Sequence, residues 1–305
     1  MSELLESPRV SVIIPVKNDA ARLRLCLEAL ARQTLPAAQW EAVVADNGSD
    51  RDDPAAAAAG FPNVRLVVQP KPGASAARNR AIAASRGTLL AFTDADCLPA
   101  PDWLERGLAR MAALGGAGMV AGRIRVFPRD PARPNSLELF DMAWAFDQPM
   151  FVTRGRFGAS ANLWTDRNGV DTAGGFDETI PYYGEDVDLC LRLGRLGRPI
   201  VYADEVVVAH PARAAWAPFR ARLERQVRAH YGYRPRGWRG LRKIPVDFWY
   251  DWLGPRALCK TLVHPAARGP GQHLRLLGAT LAVKALRFRT RWAMLWEPRP
   301  QPGDA

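Results

Sequence analysis

The chain has 305 residues, 48% of them hydrophobic, which allows one large domain or a domain with an appendage and excludes disorder of the whole chain. Cys26, Cys97, Cys190 and Cys259 lie far apart and form no CxxC pair, so they read as free thiols in a reducing, cytoplasmic compartment, with no structural zinc expected. The net charge of +11 is concentrated: between Arg213 and Lys243, ten arginines or lysines stand against Glu224 as the single acid.

The opening MSELLESPRVSVIIPV carries acids before a short apolar run and does not read as a secretion signal. Val10 to Val16, β-branched and continuous, reads as a strand buried on both faces of a parallel sheet. Asp19 is expected to cap a helix in which Leu23, Leu27, Leu30 and Ala31 recur at helical spacing. EAVVADNGSD gives a second strand ending at Asp46, VRLVVQP a third, Ser75 to Ser85 a helix, and TLLAFTDAD a fourth strand. Alternating strands and helices with short connections predict an α/β domain with a mixed, mainly parallel sheet flanked by helices. In such a sheet ligands bind beyond the carboxyl ends of the strands, where Asn18, Asp46, Asp94 and Asp96 all fall.

After Pro101 the pattern predicts a helix from Trp103 to about Ala113 and a strand in GMVAGRIRVFP; Asp130 to Arg156, with its prolines and large apolar residues, takes no assignment. FGASANLWTDR reads as a strand whose small residues admit close approach of backbone to a ligand. GGFDE reads as a turn, EDVDLCLRLGRLG as a helix, and PIVYADEVVVAHP as a strand ending at His210.

An Asp-X-Asp closing a strand is expected to present both carboxylates on one edge, because alternate residues share a face. Two such carboxylates repel and call for a cation, and a hard divalent ion that also takes phosphate oxygens is the usual partner. A lone copy of this motif is weak evidence. Here it lies in line with Asn18 and Asp46 and precedes a second acidic pair, Glu185 and Asp186.

From Val10 to Pro211 the chain resembles a family 2 glycosyltransferase of the GT-A fold. SVIIPVKND resembles the opening strand and loop of that family, which implies nucleotide contacts from Pro15, Val16 and Asn18. VVADNGSD implies that Asp46 faces base and ribose. PGASAARNRAIAASRG implies that Arg78 and Asn79 lie near the nucleotide, with Arg78 and Arg80 divided between phosphate and solvent. FTDADC resembles the metal motif, so Asp94 and Ala95 would lie toward the nucleotide and Asp96 toward metal and diphosphate. GASANLWTDRNGVDTAGGFDE matches the acceptor-side segment. YGEDVDLCLRL matches the segment of the catalytic base, a role that transfers to Asp186; Glu185 beside it is either a direct participant or a helix cap. VVVAHP implies His210 near the metal or diphosphate.

The resemblance implies transfer of a sugar from a nucleoside diphosphate donor, UDP-sugar first and GDP-sugar second, to an acceptor hydroxyl with inversion, assisted by Mn²⁺ or Mg²⁺. The acceptor would be a glycan or a lipid-linked molecule. At the start of a helix, Asp186 is expected to stay ionised and therefore to be a weak base.

In WAPFRARLERQVRAHY, Trp216, Phe219, Leu223, Val227 and Tyr231 recur every three or four residues amid arginines. That is an amphipathic helix with a basic border, suited either to packing on the parent domain or to the surface of an anionic membrane. GYRPRGWRGLRKIPVDFWYDWL adds Trp238, Trp249 and Trp252, and the last helix ends in Trp292 and Trp296. Leu276 to Phe288 is too short to span a bilayer. The expected organisation is a catalytic domain at 1–212 and a basic, Trp-rich helical extension at 213–305. That extension would bind acceptor, the inner face of the cytoplasmic membrane, or a second subunit in a homodimer. Nucleic-acid binding would account for the charge but not for the converging carboxylates. A nucleotidyltransferase would carry a glycine-rich, cation-bearing loop that PVKND lacks.

Overall fold

The computed structural model describes residues 8–180, 183–231 and 261–297. The chain divides into two compact units, Met1–Arg125 with Asp147–His210, and Val126–Phe146 with Pro211–Ala305.

The sheet has eight strands in the order β3-β2-β1-β4-β7-β6-β8-β5: β1 Val10–Val16, β2 Trp40–Asp46, β3 Val64–Val68, β4 Leu89–Phe92, β5 Leu98–Pro99, β6 Met119–Phe127, β7 Leu163–Asp166 and β8 Ile200–Pro211. β1 is parallel to β2 and β4, and β2 to β3. β7 is antiparallel to β4 and β6, and β5 to β8. The sheet is thus parallel on one side and carries antiparallel pairs on the other. Val10, Val12, Ile13 and Ile14 of β1 are fully buried, as expected of a strand covered on both faces.

The helices of this unit are α1 Ala20–Leu30, α2 Pro54–Ala58, α3 Ala74–Ala84, α4 Trp103–Ala113, α6 Gln148–Met150, α7 Arg167–Ala173 and α8 Glu185–Arg195. α3 buries Ala76, Ala77 and Ala81, side chains small enough to let its backbone lie close to β1 and β2. α8 turns Leu189, Cys190 and Leu193 into the same core as Ile13, Leu90 and Phe92. There Phe176 meets Phe92 edge to face, ring centroids 5.3 Å apart; each such buried ring contributes about 2–3 kcal/mol.

Three local expectations are corrected. Asp19 sits at the start of α1, but its carboxylate accepts from Arg22 Nε at 2.8 Å, and Asp52 instead accepts from the Ala20 N–H at 2.8 Å. The N–H at the start of α1 is thus satisfied by a carboxylate from the loop after β2, a charge-assisted bond of the kind expected of Asp19. The fourth strand stops at Phe92, and Asp94 to Cys97 form a turn closed by the Cys97 N–H donating to the Asp94 carbonyl at 3.0 Å. Strand alternation therefore does not govern the two aspartates. In FGASANLWTDR only Leu163–Asp166 is strand, preceded by a single turn of 3₁₀ helix at Ser160–Asn162.

The second unit holds α5 Ser136–Trp144, α9 Trp216–Tyr231 and α10 Gly269–Trp296. α5 falls in the stretch that took no assignment. Its start is a capping box, with Asn135 accepting from the Leu137 and Glu138 N–H groups while Glu138 accepts from the Asn135 N–H. Leu137, Phe219 and Val283 pack together with Phe140 and Leu223, so Phe219 and Leu223 of the apolar face expected on α9 lie in a core, whereas Trp216 is 39% exposed. Trp238, Trp249, Trp252, Cys259 and the side chain of Tyr231 fall outside the described residues. Among the described residues no helix is long and apolar enough to cross a membrane.

Candidate functional site

β1 and β2 end level, Val16 opposite Asp46, while β4 ends beside Ile13 at Phe92, and the chain leaves each of these parallel strands at the same edge of the sheet into a polar loop. After β1, Asn18 holds a left-handed backbone at φ 54°, which asparagine tolerates better than most residues. Its side chain donates to Asp50 at 2.8 Å and accepts from the Asp50 and Arg51 N–H groups at 2.9 and 3.0 Å. Asn18 thereby ties the loop after β1 to the loop after β2. Asp46, the last residue of β2, accepts from the Ser49 N–H at 3.0 Å and the Ser49 hydroxyl at 2.7 Å. Pro15 is half-buried, and Val16 and Ala95 are buried.

The turn after β4 sends its two aspartates to different partners. Asp94 accepts from Arg78 at 2.9 Å, and the same guanidinium donates to Glu185 at 3.1 Å. Arg78 is buried on α3 beneath the Phe176 ring, 5.5 Å from its centroid, and its Nε has no partner among the described residues. Burial pulls its pKa down, but Asp94, Glu185 and Asp186 more than offset this, so the guanidinium stays charged. Arg80 is exposed. One buried cation therefore joins the acidic pair after β4 to the acidic pair opening α8.

Asp96 points the other way. Its carboxylate lies 3.6 Å from His210 Nε2, near the end of β8, and 3.7 Å from Arg22 of α1. The pairing of Leu98 with Ala209 between β5 and β8 brings the two together. Burial raises the Asp96 carboxyl above its usual range, against the pull of His210. Cys97 joins this cluster: a carboxylate oxygen of Asp96, Cys97 Sγ and a His210 ring nitrogen all lie within 4.8 Å of one another. Burial pushes the Cys97 thiol well above its ordinary value, and it points at the Ala161 carbonyl, 3.9 Å away. Such a protonated thiol is a poor ligand for a hard cation, whereas a carboxylate and an imidazole fit one that completes its shell with phosphate oxygens and water.

Asp186, in the first turn of α8, accepts from the Val187 N–H at 2.8 Å and the Ser160 N–H at 3.4 Å. Its carboxyl is pushed up to about 6, first by burial and then by the Glu185 charge, against the pull of Arg78 and the two N–H groups. The helix terminus does not set its basicity, because desolvation outweighs the partial charge at a helix start. Asp188, two residues on, pairs with Arg192 at 2.6 Å.

Sequence reasoning missed Cys97, Arg22 and the Ser160 N–H. Cys97 adjoins the aspartate pair and Arg22 lies one helical turn past Asp19, but neither spacing has meaning until α1, β5 and β8 are packed.

The profile of Glycosyl transferase family 2 matches residues 11–167. Glycosyltransferase AglE of Haloferax volcanii is 31% identical over 229 residues, 74% of this chain and 73% of its own length. Pre-mycofactocin glycosyltransferase of Mycobacterium tuberculosis is 31% identical over 235 residues, 73% of this chain and 46% of its own, so the chain spans about half of that relative. Among solved structures, mannosyltransferase PcManGT from Pyrobaculum calidifontis, in complex with GDP-Man and Mn²⁺, aligns with a TM-score of 0.59 at 21% identity over 95% of this chain and 88% of that one. Residues 1–349 of S. aureus TarS align at 0.52 and 15% identity over 94% and 88%. The structural likeness identifies the mixed, helix-flanked sheet as the GT-A fold. From that fold, and from the family match over about half the chain, it follows that this protein is a member of glycosyl transferase family 2.

Proposed function

We propose that the protein transfers a sugar from a nucleoside diphosphate sugar to an acceptor hydroxyl with inversion at the anomeric carbon. The observation that carries this reading is the Asp94–Arg78–Glu185 bridge, which holds two acidic pairs distant in sequence at one end of the sheet. Asp186 takes the proton from the acceptor hydroxyl as its oxygen attacks, the bond between the sugar and the diphosphate breaks, and the nucleoside diphosphate leaves with the bonding pair. Near pH 7 a carboxyl with a pKa of about 6 is ionised, yet a stronger base than an ordinary aspartate. The Ser160 and Val187 N–H groups fix its orientation.

Asp46 and the loop around Asn18 bind the nucleoside, with backbone contacts from Pro15, Val16 and Ala95. Asp96 and His210 hold a divalent cation, Mn²⁺ or Mg²⁺. When bound, that cation offsets charge on the diphosphate. The donor is a UDP- or GDP-sugar; PcManGT, solved with GDP-Man and Mn²⁺, supports the second. The acceptor is a glycan or a lipid-linked molecule met at the inner face of the cytoplasmic membrane.

Calorimetric titration with UDP and GDP, each with and without Mn²⁺, tests the site. One nucleotide is expected to bind in a metal-dependent manner, and Asp96→Ala to abolish the dependence. Metal dependence in the variant as strong as in the wild type rejects Asp96 as a ligand, and failure of both nucleotides to bind rejects the donor class.

A further inference from the structure

Two carboxylates share the guanidinium of Arg78. It is buried on α3 and donates to Asp94 at 2.9 Å and to Glu185 at 3.1 Å. Its plane is held by the Phe176 ring, whose centroid lies 5.5 Å away and which Phe92 meets edge to face. Asn79, the next residue of α3, fixes that ring's backbone, accepting from the Phe176 N–H at 2.8 Å and donating to the Phe176 carbonyl at 2.9 Å. Position within the plane is a different matter. Nε has no partner among the described residues, so the two carboxylates divide the cation between them. Charge held by Asp94 is charge withheld from Glu185.

The two ends of this bridge differ in access. The Asp94 side chain is 33% exposed and stands in the turn that also carries Asp96, whereas the Glu185 side chain is 18% exposed. Beside Glu185, Asp186 meets that residue's charge from its own helix and the charge of Arg78 from α3. The Val187 and Ser160 N–H groups face it without net charge, as does the Cys190 thiol, which burial pushes up to about 12 and so keeps protonated. Arg78 therefore opposes the Glu185 charge at Asp186 to the degree that Asp94 leaves it free to do so.

We propose that Arg78 is a positioning residue of the transfer, through which a ligand drawn to Asp94 shifts the shared cation toward Glu185 and Asp186. In the transferase reading, on which this rests, the turn of Asp94 meets the donor and Asp186 meets the acceptor. The Asp186 carboxyl then ionises more readily once the donor is in place. By reciprocity, an ionised Asp186 favours donor binding.

The test is carbon-13 NMR titration of the aspartate carboxyl groups in the full chain, with no nucleotide, metal or acceptor present, the Asp186 signal being identified by its loss in Asp186→Asn. Asp94→Asn keeps a hydrogen-bond acceptor but removes its charge, and is expected to lower the Asp186 midpoint by about half a pH unit or more. Asp96→Asn, in the same turn but at a carboxylate that pairs with Arg22 and His210 instead, is expected to move it less than half as far. In an Arg78→Gln background the midpoint is expected to rise by about one pH unit, and Asp94→Asn to move it no further than Asp96→Asn does. An unmoved midpoint in Asp94→Asn, equal effects of Asp94→Asn and Asp96→Asn, or an Asp94→Asn effect that survives Arg78→Gln overturns the proposal. If Arg78→Gln melts early, the comparison of the two single variants decides. Because no ligand is present, a negative result leaves the transferase reading intact, and failed nucleotide binding counts against that reading without moving these midpoints.

Discussion

Asp186 shows how one residue's environment sets both its chemistry and its cost. A carboxyl raised to about 6 binds its proton more tightly in the folded chain than in the unfolded one. Its contribution to stability is therefore greatest below about pH 4 and is lost as pH rises through 6, leaving a burden of about 1–3 kcal/mol at neutrality. Asp186→Asn removes the buried charge while keeping an acceptor for one of the two N–H groups. The variant is expected to lose 10²-fold or more in kcat while its melting temperature at pH 7.5 is unchanged or higher; a large fall in melting temperature would show that the ionised group is structural. For the wild type, kcat/KM is expected to fall with unit slope as pH drops below about 6, where the base becomes protonated. A flat profile down to pH 5 would reject Asp186 as the base. The residue types of the site, two aspartates after β4 and an acidic pair opening α8, were legible in the sequence. The direction of the Asp186 shift was not, because it depends on how many groups crowd round the carboxyl after folding.

Elements were legible where one periodicity held from end to end. The strand at Val10 and the helix at Trp103 matched their patterns because each buries a continuous apolar set. Patterns failed where a side chain had a choice of partner, as at Asp19, or where a strand gave way to a turn, as at Asp94. Close approach between elements was also hidden. A Cβ placed on Gly107 of α4 would lie 2.2 Å from the buried Trp164 ring, which itself meets Trp103 at 5.0 Å. Alanine would recover about 1 kcal/mol of helix propensity, but overpacking against an immobile indole costs about 3 kcal/mol. Gly107→Ala is therefore expected to destabilise the protein by about 2 kcal/mol in urea unfolding, whereas an increase in stability would mean that Trp164 can move aside.

At the scale of the whole molecule, the sequence located the basic region but not the interior of the second unit. Asp141 of α5 is buried and accepts from the Arg213 N–H at 2.9 Å and from its guanidinium at 2.8 Å. Removing the cation strands a buried carboxylate, so Arg213→Met is expected to destabilise this unit by about 2–4 kcal/mol, seen as an earlier transition in scanning calorimetry. An unshifted transition would mean that water reaches Asp141. No sequence pattern pairs these residues, because the contact depends on α5 folding beside the chain that leaves β8. What the sequence determined by itself was the order of the longer strands and helices, without α2, β5, α5, α6 and α7, and the presence of carboxylates where strands end, since burial periodicity and loop polarity are local properties. Only the tertiary structure decided that Arg78 joins Asp94 to Glu185 and that Asp96 meets His210. Each of these depends on which surfaces distant segments cover, and hence on desolvation and packing that no local window of sequence contains.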